Sequence, residues 1–382
     1  MTQTVVYLRG CGVDHSISDM SDLLPILGYG HSRGLLTVRD KLTLALASTH
    51  KGVSSAFIDL RGEAPSLRHF GELIYLLRAN GIKKITIATS GIDTPSTDPT
   101  VEFVSNPYTF FSDGYVTRTM PTFDIPATHH FVSLSRIPRI PRIISTVELF
   151  KRNLNKHGVV SLGSGEEHFE SHKRGAEYVF SRLADSRLYS TELLNEVQDR
   201  FPILVDGTVP VGISGDDKQR DVTNPLFTGA MISVVNESSF EHIIGIDTPQ
   251  STRGRWSEKF VTEKTIKTFV IGQIPIMITV PGMVAELRGM GFDMFDDIID
   301  HSYDQVQDPI KRIECAIDQL EKFVTRYPVT QLTKLRIKIR HRLKKNYQRV
   351  IELADHNGCV DLEISQRACR PGATSITQIT LR

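Results

Sequence analysis

Residues 257–282 read SEKFVTEKTIKTFVIGQIPIMITVPG, and the change of period inside this run decides the class of fold. Ile266, Phe269 and Val270 fall at the spacing of a helix that faces a core, so a helix is expected over 258–271. IPIMITV at 274–280 is a short continuous apolar run and reads as a buried strand, with a second short helix expected over 283–290. Thr262, Glu263 and Lys264 then form a first helical turn, where free backbone N–H groups and the positive end of the helix dipole attract an anion. Lys264 and Lys267 add full charges, and Glu263 is a suitable acceptor for a pair of ribose hydroxyls. The same residues also read as an ordinary capped amphipathic helix.

Working outward, the strand-helix alternation recurs on both sides. Residues 5–10, 56–60 and 83–89 are β-rich runs, and LRHFGELIYLLRANG at 67–81 carries Phe70, Leu73, Leu76 and Leu77 on one helical face before Gly81. Strands are expected again at 129–136, 159–164 and 230–238, with helices near 143–156, 166–186 and 191–201. Such alternation defines an α/β architecture with parallel strands and crossover helices. Helices follow at 308–326 and 331–355, the second with Leu335, Ile339, Leu343 and Tyr347 as one apolar stripe. A chain of 382 residues is long for one domain. A boundary is expected near residue 150, giving segments 1–150, 151–330 and a basic helix and tail at 331–382.

The composition is that of an ordinary globular protein, with 40% hydrophobic and 23% charged residues. Its 45 basic and 44 acidic residues nearly cancel, so no global field draws the chain to a polyanion, and local patches would have to do so. No run is long and apolar enough for a membrane span, and MTQTVVYLRG lacks a signal-peptide layout, so a cytoplasmic location without membrane partners is expected. Cys11, Cys315, Cys359 and Cys369 show no metal-ligand spacing and are read as reduced and structural.

Three segments carry polar chemistry. FVSLSRIPRIPR at 131–142 places Arg136, Arg139 and Arg142 at three-residue intervals after a strand, stiffened by Pro138 and Pro141. Guanidinium groups grip phosphate oxygens in bidentate fashion, so the run suits a diphosphate; it equally suits a solvated basic loop or ion pairing. VVNES at 234–238 ends a strand on Asn236, Glu237 and Ser238, the position where open α/β sheets bind ligands. The run around Thr262 is the third. Gly28 to Gly34 in GYGHSRG lack the dinucleotide fingerprint.

In order and wording these segments resemble the fucosyltransferase-like and exostosin-like branch of GT-B glycosyltransferases, together with relatives in tailed bacteriophages and large viruses. The resemblance covers about residues 129–355 and includes PGMVAELRGMGFDMFDDIIDHSYD at 281–304. It implies two Rossmann-like domains facing a central cleft, an N-terminal acceptor domain and a C-terminal donor domain, with C-terminal helices. It also implies that Arg136 contacts a nucleoside diphosphate, Glu263 the ribose and Lys264 the phosphates, while Glu237 and Phe260 line the nucleotide pocket. The family's usual Tyr is Phe260 here, which removes one hydroxyl.

The expected activity is transfer of a sugar from a nucleotide-sugar donor to an acceptor hydroxyl, with cations and a helix start stabilising the leaving diphosphate. The chain has no Asp-x-Asp motif, Asp216 and Asp217 being adjacent, so no metal and no cofactor beyond the co-substrate are expected. Inversion would need a base, for which Asp14, His15 and Asp113 are the candidates, each also readable as an ordinary loop residue. The helix over 331–350, with eight Lys or Arg and no Asp or Glu, admits a double-stranded DNA acceptor bearing a hydroxymethylated pyrimidine. Its charges also read as a solvated face, leaving a glycan, protein or small molecule as acceptor. A non-catalytic nucleic-acid-binding protein is the third reading.

Overall fold

A computed structural model describes residues 3–9, 53–60, 74–75, 77–79, 81–89, 99–105, 123–135, 138–163, 169–203, 205, 225–237, 240, 243, 259–368 and 373–380. The chain forms two compact units, one of residues 1–112, 258–260 and 355–382, the other of 113–257 and 261–354. The division therefore falls at Ser112/Asp113 and not near residue 150. A cut at 150 would separate strands that pair with each other, as the second sheet shows.

The N-terminal unit holds a five-stranded parallel sheet. Strands β1 (Gln3–Arg9), β2 (Val53–Leu60), β3 (Lys84–Thr89) and β4 (Val101–Ser105) lie side by side in chain order. On the free side of β1 lies β9 (Ala373–Thr380), parallel to it with Val5 opposite Ile376. The tail that carried no readable chemistry is thus a strand of the first sheet. Ile85 and Ile87 on one face of β3 and Ala88 on the other are fully buried, as a parallel strand covered on both faces requires.

The C-terminal unit is built on β5 (His129–Ser135), β6 (Gly158–Leu162), β7 (Ala230–Asn236) and β8 (Ile274–Ile278), all parallel in the order β6-β5-β7-β8. Helices α1 (Ile140–Lys151), α2 (Phe169–Ser186) and α3 (Thr191–Asp199) follow β5 and β6. Next come α4 (Glu263–Ile271), α5 (Met283–Gly289), α6 (Pro309–Arg326) and α7 (Val329–Ala368). Helix α1 is buried from Ile140 to Phe150, so it is a core helix and not a surface one. It starts three residues earlier than its apolar pattern suggests because Pro141 suits a first turn. It ends at Lys151 where Asn153 adopts a left-handed conformation, and residues 154–156 form a separate short turn. Helix α4 is correspondingly shorter than the expected 258–271, since Thr262 is extended and caps it.

At its other end α4 stops on Gly272, with φ at 79°, and the Phe123 ring occupies the space a side chain would need. Strand β8 lies at an end of the sheet order, and its open side is closed by side chains. The Tyr303 hydroxyl accepts from the Met277 N–H at 2.9 Å, and Arg312 Nε donates to the Thr279 carbonyl at 2.9 Å. Covering an edge in this way removes a template for strand addition.

Candidate functional site

The chain leaves β5 for β6 on one side and returns to β7 on the other, so the crevice beyond the carboxyl ends of β5 and β7 is the topological switch point. Open α/β sheets bind ligands there. Helix α1, which follows β5, and helix α4, which precedes β8, both begin at this edge; in α1 Pro141 has no N–H and the Arg142 N–H bonds the Arg139 carbonyl at 2.9 Å.

A buried polar network links the two helix starts. Asn236, the last residue of β7, accepts from Ser145 Oγ at 2.9 Å and donates to Ser133 Oγ at 3.4 Å. Arg142, in the first turn of α1 and 4% exposed, donates to the Asn236 carbonyl at 3.5 Å. Burial, and then the neighbouring Arg139 guanidinium, pull Arg142 down to about 9, against the opposing influence of Glu237 and Glu263. It still carries its charge at neutral pH. Arg139 itself is exposed and stands at the N-cap of α1, where no side chain caps the helix and no acid lies in the first turn.

The start of α4 is arranged differently. Glu237, 1% exposed, accepts at Oε1 from the Thr262 N–H at 3.1 Å and from Thr265 Oγ1 at 2.5 Å. At Oε2 it accepts from Thr262 Oγ1 at 2.6 Å. Thr262 Oγ1 in turn accepts from the Lys264 N–H at 3.3 Å. Glu237 is therefore a latch that ties the end of β7 to the first turn of α4, although its sequence position suggested a pocket wall. Lys264 and Glu263 form an ion pair at 2.6 Å, both partly exposed at the outer side of the turn. Burial alone would raise the Glu263 carboxyl, but the Lys264 ammonium, its hydrogen bond and the helix backbone hold it below its ordinary value. Lys267, expected to add to an anion site, instead lies over the Phe227 ring at 3.3 Å.

Of the residues expected at the donor site, Arg142, Glu237, Thr262, Glu263 and Lys264 thus come together on two adjacent helix starts, with Arg139 at the rim. Phe260 is buried and groups with the N-terminal unit. Arg136 and Ser238, the candidate bases Asp14, His15 and Asp113, and the glycine run at 28–34 lie outside the described residues. Ser133, Ser145 and Thr265 belong to the network and were not singled out from sequence. Their signal is a small hydroxyl residue placed inside an apolar run, which a buried position tolerates only when it is hydrogen-bonded.

The basic helix, α7, is mostly a structural element. Arg336 donates to the carbonyls of Ile125 at 2.9 Å, Thr228 at 2.7 Å and Ala230 at 2.5 Å, below the amino ends of β5 and β7. Arg342 is held by Asp293 and Asp297, and Arg349 binds the Met290 carbonyl. Among the described residues no helix is long and apolar enough to cross a membrane. Comparison with known proteins finds no matching family model, no matching curated protein and no matching solved structure.

Proposed function

We propose that the chain is a glycosyltransferase of GT-B architecture whose C-terminal unit binds a nucleoside-diphosphate sugar at the β5/β7 switch point. The observation that carries this reading is the pairing of two helix starts of unlike character at that edge. The start of α4 already holds two carboxylates, Glu237 within hydrogen-bond reach and Glu263 in its first turn. The start of α1 holds Arg139 and the buried Arg142 and no acid. An anion is therefore stabilised more at α1 than at α4, because two guanidinium groups add to the dipole there, while the carboxylates Glu237 and Glu263 lie at the start of α4. The diphosphate is assigned to α1, with Arg136 as an added contact, and the donor's hydroxyl-bearing nucleoside to the Glu263–Lys264 pair. This shifts the phosphates away from Lys264, the residue to which the family resemblance assigned them.

During transfer the bond between the anomeric carbon and the diphosphate breaks and negative charge grows on the leaving phosphate oxygen. The guanidinium groups and the helix dipole fixed in advance at α1 favour that charge over the neutral glycosidic bond it replaces. The acceptor hydroxyl loses its proton to a base, for which Asp14, His15 and Asp113 remain the proposals. Two parallel-sheet units in one chain support the GT-B reading.

The test is a thermal-shift panel of UDP, GDP, CDP and ADP with the full chain. A bound diphosphate at 100 times its Kd adds about 2.7 kcal/mol of stability. One base should shift the melt strongly and Arg142→Met should cut the shift by about half or more; no shift with any diphosphate would remove the donor site from consideration.

A further inference from the structure

The eight basic residues between 331 and 350 are divided by the structure according to type. The arginines are used within the fold: Arg336 on three carbonyls, Arg342 between two aspartates, Arg349 on Met290 and Glu352, and Arg340 beside Asp124. Lys334, Lys338, Lys344 and Lys345 are all exposed. Among the described residues no acid pairs with any of these lysines. Lys334, Lys338, His341 and Lys345 follow one another at steps of four, three and four residues, so they lie in one line along α7. At 1.5 Å per residue the line is about 16 Å long. It faces away from Leu335, Ile339, Leu343 and Tyr347, which are buried on the opposite side.

We propose that this line of lysines docks the sugar-phosphate backbone of a nucleic-acid duplex. The charge complementarity is direct, since a duplex carries a negative charge about every 1.7 Å along its axis. Other polyanionic partners fit the helix less well. A single strand is held by stacking its bases on exposed aromatic rings, and the aromatic residue of this stretch, Tyr347, is 2% exposed. A membrane surface requires an apolar face to enter the lipid boundary, and the apolar face of α7 is already spent on the protein core. Arginine is the residue that reads guanine bidentately, and here Arg336 is buried, Arg342 and Arg349 are bonded within the fold and the exposed Arg340 lies against Asp124, while lysines, as point charges, remain outside. Binding is therefore to backbone and independent of sequence. The proposal goes beyond the donor reading and stands or falls separately from it.

The experiment is a fluorescence-anisotropy titration of the full chain against a labelled 20-base-pair duplex at several salt concentrations. Three phosphate contacts predict that log affinity falls against log salt with a slope of about −3, and each of Lys334→Gln, Lys338→Gln and Lys345→Gln should reduce that slope by about one. Lys322→Gln, an exposed lysine on α6, serves as the control and should leave it unchanged. The triple variant should bind at least about tenfold more weakly at 0.1 M salt while melting at the parent temperature. Salt-independent binding, or a triple variant that binds as the parent does, would overturn the proposal. Equal affinity for a single strand of the same length, for polyglutamate or for phosphatidylserine vesicles would overturn the assignment to a duplex.

Discussion

Two guanidinium groups are buried at opposite ends of the C-terminal sheet, and their surroundings differ in kind. Arg336, below the amino ends of β5 and β7, gives its donors to three backbone carbonyls. Arg142, beyond the carboxyl ends, touches one carbonyl of Asn236 and shares its field with Arg139, Glu237 and Glu263. Burial lowers both, Arg336 to about 10 and Arg142 to about 9. Burial and charge thus do not separate the arginine that pins α7 from the one proposed to bind a diphosphate; the neighbours do. Three carbonyls accept from the two terminal nitrogens of Arg336 and make it a pin between α7 and the sheet. The uncapped start of α1 beside Arg142 adds an attraction for anions that a purely structural site does not need.

Exchanging each arginine for methionine tests this contrast most severely. Arg336→Met leaves three carbonyls without their donor, at about 1–3 kcal/mol each when buried, so a loss of at least about 3 kcal/mol is expected in thermal unfolding. A loss below about 1 kcal/mol would show that the pin is dispensable. Arg142→Met leaves the Asn236 carbonyl short of one donor and takes a cation away from the buried Glu237, so a smaller loss of about 1–3 kcal/mol is expected. Affinity for the stabilising nucleoside diphosphate should drop about tenfold or more at the same time, the worth of one charge-assisted hydrogen bond. If both variants lose stability equally and neither loses ligand affinity, the distinction between the two ends fails.

The latch at Glu237 comes next in size. Glu237→Ala frees the Thr262 N–H and two threonine hydroxyls at a buried helix start, at an expected cost of about 1–3 kcal/mol. Glu237→Gln retains acceptor capacity at one oxygen and should recover part of that loss in the same melt. A ligand-contacting glutamate would behave otherwise, losing nucleotide affinity with little change in stability.

This is also where the sequence was least readable. The sheet pattern was open to inspection because parallel strands announce themselves as apolar runs, as VVSLGS, AMISVV and IPIMITV do. The start of α4 was visible too, since a Thr before a Glu-Lys pair and an apolar stripe is a cap that physics makes recognisable. Glu237 was picked out as a nucleotide-pocket residue, and in the structure its carboxylate accepts from Thr262 and Thr265. A carboxylate at the end of a strand looks the same in one dimension whether it receives a ligand or the next helix, and only the 25-residue return of the chain to Thr262 decides. Likewise the eight cations of residues 331–350 looked equivalent, because the carbonyls and aspartates that absorb the arginines are distant in sequence. The first sheet's last strand was hidden for the same reason: β9 is separated from its partner β1 by nearly the whole chain.

A pH measurement extends the comparison to the flank of the sheet. His301 accepts at Nδ1 from the Tyr303 hydroxyl at 2.9 Å and donates from Nε2 to the Met294 carbonyl at 2.8 Å, the tautomer that completes the chain from the Met277 N–H. Burial lowers its pKa from the ordinary value of 6.5. Below that value the unfolded chain binds a proton that the folded chain resists, so stability falls as pH falls, by at most about 1.4 kcal/mol per pH unit for this group. His301→Gln should flatten the dependence of the melt between about pH 6.5 and 5 relative to the parent. An unchanged slope would mean that His301 is protonated in the fold and that the chain of bonds is drawn the wrong way round.

The smallest effect is expected at Lys264, and it is the one that separates the two helix starts most finely. Its ammonium is paired with Glu263 and partly exposed, so its removal should cost stability no more than about 0.5 kcal/mol, as for other surface pairs. If the diphosphate sits at α1, Lys264→Gln should weaken nucleoside-diphosphate binding only about two- to threefold, and raising the salt should erase most of that difference because the contribution is a screened field. If the phosphates instead contact Lys264, as the family resemblance implies, the same substitution should cost tenfold or more and persist in salt. Binding isotherms of the parent, Lys264→Gln and Arg142→Met at two ionic strengths therefore place the phosphates: a larger loss in Lys264→Gln than in Arg142→Met assigns them to α4, and the reverse order to α1.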